Sequence, residues 1–202
     1  MNKRALVIVL IILIATAGFF FFQNQKNATA PSFSVTPTMS ISTVVPTNMI
    51  SGGEMYNDPN KVYTFRYPND YTLDTQDPAH IRIYKRGEEQ RPQSEMSDGA
   101  LMVFENIDLK GQSLESWVDE NIKKSTSDGT SEIIEAKKSI LQNGYPGFSY
   151  AMRGLGTSQN IILQKDSSVP NAVMITYAVS DPQEKGYQKE IEDILATFRF
   201  LP

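Results

Sequence analysis

Hydrophobic and polar positions divide this chain into three stretches with different periods. The first is Ala5 to Phe22, eighteen residues without a charge, an amide or a proline. At 1.5 Å per residue it makes a helix of roughly 27 Å, close to the ~30 Å hydrocarbon core of a bilayer. A buried helix of a soluble core shows a polar side, and this run has none. It predicts one transmembrane helix. Lys3 and Arg4 precede it, and a cytoplasmic excess of Lys and Arg sets orientation. Residues 1–4 are therefore expected on the cytoplasmic side, with everything after the helix outside the cytoplasm. A cleaved signal peptide is the competing reading, but its apolar core normally runs about 7–15 residues. Cleavage after Ala15-Thr16-Ala17 leaves Gly18 to Phe22 as a greasy terminus, and cleavage after Ala28-Thr29-Ala30 puts Pro31 just behind the cut. These features favour an anchor that stays.

The second stretch, residues 23–53, has no period at all. It is dense in Ser, Thr and Pro, and Lys26 is its one charge. Such a composition buries too little apolar surface to offset ordering entropy, so a flexible linker is expected. At about 30 residues it reaches ~30 Å as a coil and up to ~90 Å fully extended.

The third stretch, residues 54–202, is the size of one domain. Lys61 to Tyr67 alternates, with Tyr63, Phe65 and Tyr67 on one face and Pro68-Asn69-Asp70 as the stop. His80 to Tyr84 alternates as well. Ala100 to Ile107 is apolar on both faces, with Leu101, Val103 and Ile107 set against Met102 and Phe104. Further strands are expected at 132–142, 147–153, 160–165 and 171–180, with Asn143-Gly144 as a turn. Strands apolar on both faces need cover on both. Two helices are available for it. One starts after Ser113 as N-cap and carries Leu114, Trp117, Val118 and Ile122. The other is expected to open at Asp181-Pro182-Gln183-Glu184 and to bury Tyr187, Ile191, Ile194 and Leu195. A short strand at 197–200 closes the chain. The pattern predicts an α+β fold, a mostly antiparallel sheet with helices packed on both faces.

Composition narrows the chemistry. There is no cysteine, which excludes disulfides, thiol catalysis, Cys-based zinc sites and a lipid-modified cysteine. Lys3, Arg4 and Lys26 are the only charges before residue 54. The domain thus keeps 16 of the 19 basic side chains and all 23 acidic ones, a formal charge of −7. That is no footprint for nucleic acid. Lys123-Lys124 and Lys137-Lys138 read as solvated faces. His80 is the only histidine, and no nucleophile motif accompanies it. Asp70, Asp74 and Asp77 do not have EF-hand spacing, and Gly154-Leu155-Gly156 reads as a turn. No catalytic, cofactor-binding or metal-ligating set is expected, and no cofactor. Tyr56 and Tyr71, read as lying outside strands, are the candidate contacts for a ligand or partner. The long polar connection from Arg86 to Gly99 is expected to be disordered.

Several of these segments together resemble the PsbP-like domain family, in its membrane-anchored bacterial type. They are Tyr63-Thr64-Phe65-Arg66-Tyr67-Pro68, Ser113-Leu114-Glu115-Ser116-Trp117, Asn143-Gly144-Tyr145-Pro146-Gly147, and the final helix running into Ile194 to Phe200. The resemblance covers about Met55 to Leu201. Members commonly carry Trp a few residues after the Tyr-Pro, where this chain has Tyr71. The family is named for an extrinsic subunit of the photosynthetic oxygen-evolving complex and includes a eukaryotic Ran-binding import factor. The resemblance implies an α/β/α sandwich and no shared chemistry. Its photosynthetic role does not carry over, since nothing here matches a thylakoid targeting sequence. The expected function is a membrane-tethered, extracytoplasmic binding or assembly-accessory domain without catalysis, serving a protein or cell-envelope partner. The alternatives are an envelope enzyme using the carboxylates of Asp70, Asp74, Asp77 and Glu105, or an extracytoplasmic sensor.

Overall fold

A computed structural model describes residue 50, residues 52–91 and residues 96–202. The expected anchor and nearly all of the expected linker lie outside the described residues. No helix among the described ones is long and apolar enough to cross a membrane. Ile50, assigned to the linker by composition, is half-buried and packs on the main core.

Among the described residues, ten strands and two helices follow in the order β1 (Glu54–Asn57), β2 (Tyr63–Tyr67), β3 (Thr72–Asp74), β4 (His80–Arg86), β5 (Gly99–Asp108), α1 (Leu114–Thr126), β6 (Glu132–Gln142), β7 (Tyr145–Arg153), β8 (Thr157–Gln164), β9 (Asn171–Ser180), α2 (Tyr187–Thr197) and β10 (Arg199–Phe200). Seven strands form one antiparallel sheet in the order β3-β4-β5-β9-β8-β7-β6, and β1-β2-β10 form a second. The expected α+β class and antiparallel sheet are present. The expected sandwich is modified, because the second sheet shares one face of the large sheet with α2.

Aromatic side chains join the two sheets. Tyr63, Phe65 and Tyr67 all point inward from β2 and are buried, as the alternation requires. The Phe65 ring stacks on Phe104 of β5 with centroids 4.2 Å apart and planes 7° apart. Tyr63 stacks between Phe104 and Phe198, each 5.7 Å away. Tyr187, Ile191, Ile194 and Leu195 of α2 complete this main core. A second cluster lies on the opposite face, where Leu114 and Val118 of α1 meet Ile107, Tyr150, Ile162 and Ala172.

Local chemistry explains the element ends. Ser113 caps α1 by accepting the Ser116 backbone N–H at 3.1 Å. Asn143 and Gly144 have φ of 55° and 86°, the left-handed pair that a two-residue hairpin needs between β6 and β7. Asn143 Nδ2 also donates to the Leu195 and Phe198 carbonyls at 2.7 and 3.1 Å, tying this hairpin to the end of α2. Gly147 is required by close approach, since a Cβ there would lie 2.1 Å from the Ile162 carbonyl oxygen. The Asn-Gly-Tyr-Pro-Gly segment is thus a turn with a packing role.

Two expectations change. Asp181 does not cap α2, which begins six residues later at Tyr187. Its carboxylate instead accepts the backbone N–H groups of Lys185, Gly186 and Tyr187 at 2.7, 2.7 and 3.1 Å. Glu184 and Gly186 take φ of 53° and 87°, which a right-handed helix cannot continue through. The Arg86–Gly99 connection is organised in its described part. Gly87 N–H donates to the Asp98 carbonyl, and the Gln90 side-chain oxygen accepts from the backbone of Ser97 and Asp98. Residues 92–95 lie outside the described residues.

Replacing Phe104 by Ala removes the ring on which both sheets meet. The expected loss is about 3–5 kcal/mol in urea denaturation. A loss below about 1 kcal/mol, the range of surface substitutions, would contradict this account of the core.

Candidate binding face

The large sheet presents two faces, and among the described residues only one is fully covered. On β5, Ala100, Met102 and Phe104 enter the main core while Leu101 and Val103 point the other way. On β9, Val173 and Ile175 enter the main core while Thr176 and Ala178 share the side of Leu101 and Val103. Register aligns these residues in rows across the strands. One row runs Tyr84, Leu101, Ala178. The next runs Arg82, Val103, Thr176, Asn160, Tyr150.

Helix α1 covers the far part of this face, over Tyr150, Ile162, Ile107 and Ala172. Leu101, Val103 and Ala178 join neither core cluster, although β5 and β9 are interior strands of the sheet. Each is half-buried, as are Tyr84 and Thr176, and Arg82 and Arg86 are exposed beside them. The Arg86 guanidinium lies over the Tyr84 ring, 5.4 Å from its centroid. At the inner end of the second row, Asn160 is 5% exposed and its Oδ1 accepts the Thr176 hydroxyl at 2.9 Å. An apolar floor on central strands with a Tyr–Arg edge has the composition of an interaction surface.

Sequence reasoning singled out other residues. Tyr56 lies inside β1, and its ring packs on Tyr63 and Phe65 at 6.0 and 5.2 Å. It is 7% exposed and Tyr71 is 5% exposed. Tyr71 lies outside strands as expected, between β2 and β3, whereas Tyr56 belongs to the four-residue strand β1, too short to show a period; both rings are buried in the main core and not presented at the surface.

Tyr71 does belong to a polar cluster. Its hydroxyl donates to Glu190 Oε2 at 3.0 Å. Lys85 Nζ meets Asp70 Oδ2 at 2.7 Å and Glu190 Oε1 at 2.9 Å, and it lies over the Tyr71 and Tyr187 rings. Burial alone would lower the Lys85 pKa, but its bonds to Asp70 and Glu190 outweigh that and hold it above its usual value. Burial, with the neighbouring Glu190 charge, raises the Tyr71 hydroxyl. A lysine kept charged and a phenol kept neutral make a clamp between β4 and α2. General-base work needs the opposite shifts.

The remaining carboxylates divide among separate partners. Asp74 accepts the Gln76 backbone N–H at 3.0 Å. Asp77 meets His80 Nδ1 at 2.7 Å, and His80 Nε2 stands 3.8 Å from Glu105 Oε2, all at the surface. No group of three potential metal-ligating side chains is assembled among the described residues. Gly154 N–H donates to the Gly156 carbonyl at 2.9 Å in a simple turn. A separate groove of about 200 Å³ is lined by Lys61, Val62, Lys165, Val169, Phe200 and Leu201. Ligand pockets usually enclose ~300–1,000 Å³, and Lys165 Nζ is engaged by the Leu201 carbonyl at 2.7 Å.

No protein-family model matches the chain, and no curated protein matches it. Among solved structures it is similar to cyanobacterial PsbP (CyanoP) from Synechocystis, at 11% identity and TM-score 0.47 over 73% of this chain and 91% of that one. It is also similar to the Ran-binding protein Mog1p of Saccharomyces cerevisiae, at 10% identity and TM-score 0.47 over 73% and 94%. A protein from Bacteroides thetaiotaomicron matches at 14% identity and TM-score 0.38 over 74% and 49%. These are likenesses of architecture at low identity, and no site residue or activity passes from those proteins to this chain.

Neighbouring positions on β5 test whether the face is open. Leu101→Ala is expected to cost less than about 1 kcal/mol, and Met102→Ala about 2–5 kcal/mol, by urea denaturation. Equal large losses would mean that the face is already filled. The clamp is tested by alkali. Folded-state values of Lys85 and Tyr71 lie above their unfolded values, so their stabilisation is complete below about pH 10 and is lost as pH rises through the folded values. Tyr71→Phe should flatten the fall in stability above about pH 10, and an unchanged slope would remove Tyr71 from the account.

Proposed function

We propose that this chain is a membrane-tethered, extracytoplasmic binding or assembly-accessory domain of the PsbP-like kind, without catalytic activity, and that a protein partner covers the open face of its large sheet. The observation that carries the reading is the row of Leu101, Val103 and Ala178 on interior strands, outside both core clusters. An antiparallel sheet commonly turns polar side chains to its solvated face, so an apolar row there on interior strands supports cover by a partner. The charged clusters support the non-catalytic part, because each candidate carboxylate is engaged by a structural partner or by His80. The tether is supported by Lys3-Arg4 ahead of the apolar run Ala5 to Phe22, and by the unpatterned stretch that follows it.

The test is site-specific photocrosslinking in intact cells of the full-length chain. Benzoylphenylalanine is placed at Val103, and at Leu155, which is 92% exposed on the Gly154–Gly156 turn, as the control. The expected result is an adduct at Val103 and not at Leu155, identified by mass spectrometry as an envelope protein. No adduct at Val103 would overturn the binding reading, and a cytoplasmic partner would overturn the topology.

A further inference from the structure

The open face has an electrostatic grain that differs from the domain as a whole. The domain is acidic, yet the edge of the face along β4 carries Arg82 and Arg86, both exposed. Among the described residues neither forms an ion pair. The Arg86 guanidinium lies over the Tyr84 ring, 5.4 Å from its centroid, a contact that keeps it beside the open face. A planar guanidinium fixed in this way is suited to take a carboxylate through two parallel hydrogen bonds. The acidic groups of the same side are Asp74, opposite Arg82 on β3, Glu105, opposite His80 on β5, and Asp77, which bonds His80 at 2.7 Å and feels the Arg82 charge. Glu105 faces His80 at 3.8 Å and Asp74 is bonded to the Gln76 backbone; by register Asp74 lies two rows from Arg86 and Glu105 three. The floor between the arginines and β8 is aliphatic: Leu101, Val103 and Ala178.

We propose that the partner seats a carboxylate of its own on the Arg86 guanidinium and an adjoining aliphatic ridge on Leu101, Val103 and Ala178. This rests on the reading of the face as a docking surface and specifies the chemistry that reads it. The Tyr84–Arg86 pair is the anchor. Tyrosine and arginine are, with tryptophan, the residue types enriched where interface energy concentrates. Arg82, one row further in, extends the positive edge and steers the acidic partner toward the correct strand. Asp77 and Glu105 beside His80, three rows from Arg86, disfavour an acidic group at that far end of β4.

The same photocrosslinking chain, with benzoylphenylalanine at Val103 in intact cells, carries the test. In the otherwise unaltered protein the crosslinked partner peptide is sequenced. It is expected to hold Asp or Glu within a few residues of an aliphatic attachment point. Arg86→Glu is expected to cut the adduct at least tenfold. Arg86→Lys keeps the charge but loses the fork, and should cut it several-fold less. Both substitutions sit at an exposed position, and unchanged thermal melting confirms the fold. An adduct that survives Arg86→Glu, or that maps to a peptide without a carboxylate, overturns this inference while leaving the docking surface standing. An absent adduct in the unaltered protein overturns both.

Discussion

The stack of Phe65 on Phe104 is the contact on which the arrangement of this domain depends. It is the point where the small sheet touches the middle of the large one, with ring centroids 4.2 Å apart. Phe104 also meets Tyr63 and Phe198, so one side chain of β5 serves β2 and the segment after α2 together. With no disulfide available, this aromatic layer and the aliphatic stripe of α2 must hold the halves of the fold together. Hydrogen bonds then fix the register around it. Thr197 Oγ1 accepts the Arg66 backbone N–H at 2.8 Å, and Asn143 binds the carbonyls at the end of α2.

That aromatic layer also explains why the first group of tyrosines is not a binding platform. Burying Tyr56, Tyr63, Tyr67 and Tyr71 supplies a large apolar area from few residues, at the cost of finding partners for their hydroxyls. Glu54 receives the Tyr67 hydroxyl and Glu190 receives that of Tyr71. Glu54 and Glu190 thus satisfy two buried phenols, while Asp58, beside Tyr56 and Tyr63, accepts the Val62 backbone N–H at 3.0 Å. What looks in sequence like aromatic and acidic residues gathered for chemistry is the polar lining of a core.

Much of the fold was legible in the sequence, and the reason is periodicity. Strand β2, the hairpin of β6 and β7, and both faces of β5 follow from alternation and from Asn143-Gly144. Strands β1 and β3 were not legible, because four and three residues are too few to show a period and their pairing is with β2 and β4. The start of α2 was misplaced because Asp181-Pro182-Gln183-Glu184 satisfies a capping pattern, yet Asp181 closes a turn with three backbone N–H groups. The open face was half legible. Alternation said that Leu101 and Val103 leave the main core, but it cannot say how far a helix will reach over them. The Lys85 clamp joins positions 105 residues apart, Lys85 and Glu190, and no local pattern announces such a pair.

The extent of the open face is set by the place where α1 is fastened. Its apolar side meets Tyr150, Ile162, Ile107 and Ala172, and Asn121 donates to the Tyr150 hydroxyl at 3.1 Å. On its outer side, Glu115 and Asp119 both reach Lys137 of β6, at 3.2 and 2.6 Å. Strand β6 is the edge of the sheet farthest from β3, with β7 and β8 lying between it and β9. The helix tied to that edge packs over β7, β8, β9 and the Ile107 end of β5, and none of its apolar partners lies on β4. Sliding it toward Leu101 would break the Lys137 pairs and the Asn121 bond and would uncover Tyr150. The surface beside Tyr84 and Arg86 therefore stays open for a structural reason: the only helix on that side is already committed, among the described residues, to the opposite end of the sheet.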